Sequence, residues 1–155
     1  MGWQYILLKG FSRLLCRLPY SLVLRLGAGL GFLHYSFGYS QRRRAIRQLQ
    51  ERLGVSVDEA AGIARRMFRN IGKTLLEILY IPALTPAKLE RWVTIENRHY
   101  MDEALSGGHG AVILTAHFGN WEWMAARLVR AGYPLAAIAE TQPNPGLDRL
   151  LNEHR

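Results

Sequence analysis

Cysteine is almost absent from this chain of 155 residues: Cys16 stands alone. One cysteine cannot close an internal disulfide, and it leaves no CxxC pair for a metal site. Acidic residues are missing from a whole region. The first 50 residues hold eight Lys/Arg and no Asp or Glu, so that region cannot neutralise itself with its own ion pairs. Long unbroken apolar runs are scarce too. Residues 20–39 come closest to the roughly 20 that a membrane span needs, but Arg25 and His34 interrupt them, and glycines stand at 27, 29, 31 and 38. No internal repeat or low-complexity tract occurs, and the six prolines mark joints rather than a linker. The length suits one domain with a sizeable core, or part of a larger one.

What is present is unevenly placed. Residues 1–91 hold 15 Lys/Arg against 5 Asp/Glu, and residues 92–155 hold 5 against 7, so the net charge of +8 comes wholly from the first part. A basic arm can serve nucleic acid, an anionic lipid surface or an acidic protein. Here the basic residues lie among Ile, Leu, Val, Phe, Trp and Tyr, as in "WQYILLKGFSRLLCRLPYSLVLRLGAGLGFLHYSFGY". Nucleic-acid arms are usually hydrophilic, so no nucleic-acid partner is expected. A membrane surface offers both an apolar layer and anionic head groups. Residues 1–40 are therefore read as a membrane-associating segment, interfacial or single-pass, with a pair of core helices and an organellar presequence as the alternatives. Arg42, Arg43 and Arg44 would hold its end on the cytoplasmic side. Trp3, Tyr5, Tyr20, Tyr35 and Tyr39 suit the interfacial layer. Lys9 and Arg13 break the early apolar run, so no cleavable signal is expected.

Residues 41–91 read as helical. A helix over 41–53 places Ile46, Leu49 and Leu53 on one face, and Gly54 ends it. Ser56-x-x-Glu59 has the form of a capping box. The long helix after it sets Ala64, Phe68, Ile71, Leu75 and Ile78 on one stripe. Arg66, Asn70, Lys73 and Glu77 lie on another, and Arg66 and Lys73 join Arg42–Arg44 as candidate contacts to lipid or phosphate.

Residues 92–155 read as the start of an α/β domain. "WVTIE" alternates as a strand should. "HYMDEALSG" is helical. "AVILT" is a short continuous apolar run, the mark of a strand buried on both faces. Asn120 caps a helix that Gly132 stops, and "LAAIA" supplies a second strand. Strand, helix and strand at this spacing predict a βαβ unit.

"TAHFGNWEW", residues 115–123, falls where the loops of such a sheet collect ligands. His117 in the loop and Glu122 in the first helical turn can meet if Phe118-Gly119-Asn120 folds back; on one regular helix, residues five apart could not. Imidazole exchanges its proton near neutral pH and is the natural general base, and a carboxylate on one ring N–H fixes its tautomer. No serine or cysteine nucleophile stands in the loop, so direct attack by an activated hydroxyl is the simplest reaction. Taken alone, H-x4-E is also compatible with a structural histidine and a glutamate favoured by the helix N-terminus. "GAGLG" at 27–31 lacks the preceding strand of a phosphate loop.

The string "VILTAHFGNWEW", after "YMDEALSGGHG", resembles the bacterial lipid A late acyltransferases of the H-x4-D/E glycerolipid acyltransferase superfamily. The similarity extends to "RRRAIRQLQERLG", "VDEAAGIARRMFRNIGKTLLEIL" and "NPGLDRLLNEHR". The resemblance implies a glycerolipid-acyltransferase-like sheet in residues 92–155. It also implies acyl transfer from an acyl carrier protein or coenzyme A thioester to a hydroxyl of a membrane glycolipid, with a lipid A precursor as acceptor and no further cofactor or metal. His117 matches the catalytic base and Glu122 its dyad partner, with Phe118, Gly119, Asn120 and Trp121 as scaffold. A phosphatidylinositol mannoside-type acyltransferase and a non-catalytic membrane-association module are the alternatives. The implied location is the cytoplasmic face of the bacterial inner membrane. Glu140 and Thr141 stand where many relatives carry an arginine. Because such relatives are roughly twice as long, the chain alone is expected to be an inactive fragment.

Overall fold

The computed structural model describes residues 2–155. Eight α-helices follow one another: α1 Trp3–Leu15, α2 Tyr20–Phe37, α3 Tyr39–Leu53, α4 Val57–Leu79, α5 Pro86–Trp92, α6 Arg98–Ser106, α7 Trp121–Arg130 and α8 Pro145–His154. A single 3-10 turn, Ile81–Ala83, separates α4 from α5.

The caps explain most of the boundaries. Pro19 precedes α2, and Gly54 ends α3 at φ 65°, a left-handed position that favours glycine. The capping box of α4 is complete: the Glu59 N–H donates to Ser56 Oγ at 3.3 Å, and the Ser56 N–H to Glu59 Oε2 at 3.0 Å. Those bonds hold the Glu59 carboxyl below its ordinary pKa.

α4 is the spine. Its buried stripe runs through Ala60, Ala64, Phe68, Gly72, Leu76 and Leu79. Ile71 and Leu75, expected on the inner face, are exposed. The stripe is displaced because the packing centre is a glycine, which hydrophobic periodicity does not register. α2 crosses α4 with backbones in contact: a Cβ on Gly31 would lie 2.1 Å from the Phe68 carbonyl oxygen, and one on Gly72 would lie 2.2 Å from that of Gly27. The glycines of "GAGLG" are therefore a helix-crossing device. α3, with no fully buried residue, lies chiefly against α4.

A second packing centre gathers Tyr5, Leu15, Val23, Leu76, Leu79, Tyr80, Leu89, Trp123 and Leu150. Tyr20, Trp92 and Trp123 stack inside it, with Tyr20–Trp92 centroids 4.5 Å apart. α1 is tied to α4 by Ser12 Oγ, which donates to the Leu79 carbonyl at 2.6 Å. It is tied to α8 by Tyr5 and Lys9, which both bond Glu153.

The α/β expectation is overturned. No strand occurs among the described residues, and the predicted βαβ unit and sheet are absent. Trp92, the first residue of the expected strand 92–96, ends α5 instead, and residues 93–96, 111–115 and 135–139 run without ladder bonds. An extended segment becomes a strand only when a neighbour takes its amides and carbonyls, and here no such neighbour runs alongside. The expectation also required burial on both faces, whereas Val112, Leu114 and Ile138 are 97%, 96% and 107% exposed. The flanking helices form where expected, α6 before the first apolar segment and α7 between the two. No helix among the described residues is long and apolar enough to cross a membrane.

Candidate functional site

The loop of residues 115–120 enters α7 through Asn120, whose Oδ1 accepts from the Trp123 N–H at 3.1 Å. A tight turn precedes it: the Phe118 N–H donates to the Ala116 carbonyl at 2.8 Å, and Gly119 takes φ 64°. His117 is exposed, with its ring edge-on to Trp121 at 4.8 Å between centroids. Phe118 projects outward, 91% exposed.

The loop is anchored on α4, chiefly through Glu77. Glu77 Oε2 accepts from Asn120 Nδ2 at 3.1 Å, and Oε1 from the Tyr20 hydroxyl at 2.5 Å. The Glu77 carbonyl accepts from Trp123 Nε1 at 3.0 Å, and Thr74 Oγ1 donates to the Gly119 carbonyl at 3.4 Å. Burial, reinforced by the neighbouring carboxylate, pushes the Tyr20 phenol far above its ordinary pKa. Tyr20 therefore stays a donor, and Glu77 is satisfied on both oxygens.

Glu122 has another partner than expected. Arg155 grips its carboxylate with two bonds, Nη2 to Oε1 at 2.5 Å and Nε to Oε2 at 3.1 Å, while the Glu122 side chain is only 9% exposed. This bidentate pairing raises the Arg155 pKa further. His117 and Glu122 make no hydrogen bond to each other in this arrangement. An ionised carboxylate offers about four acceptor positions, so the two bonds from Arg155 leave each oxygen with unused acceptor capacity.

The candidate phosphate contacts separate into groups. Arg42, Arg43 and Arg44 line a shallow groove on α3, where the Arg42 guanidinium lies over the rings of Tyr35 and Tyr39. Lys73 lies in a different cleft, between α2 and α4, with Arg25 and Arg69. Arg66 is exposed on α4 and lines neither groove. Among the described residues, no three of His, Cys, Asp and Glu are grouped to hold a metal ion.

Sequence reasoning missed Glu77, Tyr20 and Arg155. The sequence sets Glu77 on the polar stripe of α4 with Arg66, Asn70 and Lys73; its pairing, in the last turn of α4, with an N-cap amide 43 residues away has no local signal. Arg155 follows an amphipathic helix with a basic end, a pattern the helix dipole already accounts for.

The family model for bacterial lipid A biosynthesis acyltransferases matches residues 2–155. The lipid A biosynthesis acyltransferase of Haemophilus influenzae is 25% identical over 156 residues, covering 99% of this chain and 49% of that protein. The phosphatidylinositol mannoside acyltransferase of Mycolicibacterium smegmatis is 25% identical over 129 residues, 83% of this chain and 42% of that protein. The chain thus spans about half the length of the curated relatives it matches. No solved structure matches it. A motif loop pinned to α4, in a chain matched from residue 2 to residue 155, leads to one assignment: the chain belongs to the bacterial lipid A biosynthesis acyltransferase family.

Proposed function

We propose that the protein transfers a fatty acyl group from a thioester donor, acyl carrier protein or coenzyme A, to a hydroxyl of a membrane glycolipid, a lipid A precursor. The observation that carries this reading is the placement of His117: exposed on a turn that Gly119 permits, oriented by Trp121, and backed by an Asn120–Glu77 anchor. In the proposed step His117 removes the proton from the acceptor hydroxyl. The oxygen then attacks the thioester carbonyl, and the thiolate leaves with the proton that the imidazolium returns. Glu122 supports the charged imidazole through an oxygen that Arg155 leaves open. The protein works at the cytoplasmic face of the inner membrane, held by its basic and apolar N-terminal helices.

A positioned base contributes about 10²–10⁴-fold to rate. His117→Ala in the full-length protein should therefore lower acyl transfer to a lipid A precursor by that factor while leaving membrane association unchanged. An unchanged rate would remove His117 from the chemistry, whereas no transfer by the parent protein would favour the non-catalytic module. The mycobacterial relative, at the same 25% identity, supports a second acceptor. Offering phosphatidylinositol mannoside and lipid A precursor in competition, and finding which one carries the label, separates the two.

A further inference from the structure

The cleft between α2 and α4 has a volume of about 610 Å³, and three cations face it: Arg25, Arg69 and Lys73. None of the three is in an ion pair among the described residues. The one polar side-chain contact found for them there is Lys73 Nζ to Asn70 Oδ1, at 3.3 Å. The nearest acidic residue along α4, Glu77, is already engaged by Tyr20 and Asn120. The cations converge because the Gly27, Gly31 and Gly72 crossing brings the two helix backbones into contact.

The floor is of the opposite character. Leu24 and Phe32 line it, and the exposed Leu22, Leu26, Leu30 and Leu33 continue the apolar surface along α2. Gly29 also lines the cleft, and the place where its Cβ would stand is open space. Uncompensated positive charge beside an apolar crest matches a molecule with an anionic head and a hydrocarbon body. Nucleic acid matches only the first half of that description.

We propose that this cleft docks the phosphate headgroup of an anionic phospholipid at a bilayer surface, with the apolar crest of α2 entering the acyl layer beside it. The proposal rests on the membrane-surface half of the proposed function and is independent of acyl transfer.

The test is sedimentation of the full-length protein with vesicles of phosphatidylcholine alone and of phosphatidylcholine with phosphatidylglycerol in equal parts. Each basic residue held near an anionic surface strengthens binding about fivefold, so Arg25→Gln/Arg69→Gln/Lys73→Gln should weaken binding to the mixed vesicles by about 100-fold. A charge-matched control away from the cleft, Arg52→Gln/Arg91→Gln/Arg130→Gln, should weaken it less than about threefold, since charges beyond about 8 Å are screened. Gly29→Leu fills the cleft without changing charge or touching the crossing, and it should weaken binding clearly. Circular dichroism confirms that each variant is folded. Equal losses in the two triples, or full binding by Gly29→Leu, would overturn the cleft and leave the membrane reading standing. Glycerol phosphate bound as tightly as the mixed vesicles would overturn lipid docking. Failure of the parent protein to bind either vesicle would remove the membrane reading and the cleft with it.

Discussion

At Asn120 the two ends of one amide are used in different directions. The oxygen caps α7 and the nitrogen reaches Glu77 on α4. An N-cap is typically worth about 1 kcal/mol, and a half-buried hydrogen bond to a charged group is worth about 1.5–3 kcal/mol. Asn120→Ala should therefore destabilise the fold by about 2–3 kcal/mol, read as a shift in the urea midpoint. Asn120→Asp keeps the cap but sets a second carboxylate against Glu77. It should be destabilised as well, and adding Glu77→Gln should restore most of the loss. Additive effects in that pair would show that the anchor is not coupled in the way the geometry states. The sequence revealed Asn120 as a cap, because caps are local. It could not reveal Glu77, because the bond joins two segments that only the tertiary fold brings together.

Between elements, the deciding contact is one the side-chain pattern does not contain. The α2–α4 crossing is built from what its glycines lack, so hydrophobic periodicity pointed to Ile71 and Leu75, which face outward. Gly31→Ala must push the helices apart, because its Cβ would fall 2.1 Å from a backbone oxygen. A loss of about 1–3 kcal/mol is expected from such overpacking, together with weaker hydrogen-exchange protection in both helices. Gly29→Ala, one residue pair away with nothing near its Cβ, should instead stabilise by about 0.5–1 kcal/mol. Helix positions and caps were legible because they depend on neighbours a few residues apart: the capping box, the Gly54 stop, α6 and α7 all lie where the pattern predicts. The strands were not, because a strand is defined by a partner, and apolar composition at 111–115 and 135–139 specifies none. The same distinction applies to the dyad. Spacing allowed His117 to approach Glu122, but it could not report that Arg155 competes for the carboxylate.

For the molecule as a whole, stability should depend on pH in the acid range. Hydrogen bonds from Lys9 and Tyr5 lower the Glu153 pKa, and Ser56 does the same for Glu59. A carboxyl depressed by folding contributes stability that is present above its unfolded pKa, about 4.3 for Glu, and lost as pH falls through the folded value. The melting temperature should therefore begin to fall below about pH 6.5, where His154, its pKa lowered by burial, must take up a proton, and fall further as the solution passes below about pH 4. Glu153→Gln removes one contributor, so its melting temperature should be lower near neutral pH and should fall less steeply in acid. A steeper acid limb in Glu153→Gln than in the parent would contradict this assignment.

The clasp of Tyr5 and Lys9 on Glu153 closes a loop of nearly the whole described chain. A ribosome adds about 5–20 residues per second, so the Tyr5 end of α1 waits roughly 7–30 s for the segment that will become α8. The other end of α1 can settle earlier, on the Leu79 carbonyl. For that interval Trp3, Ile6, Leu7 and Phe11 are carried on a helix fastened at one end only. A helix that is apolar and basic at once thus spends that interval with one of its two fastenings still unmade.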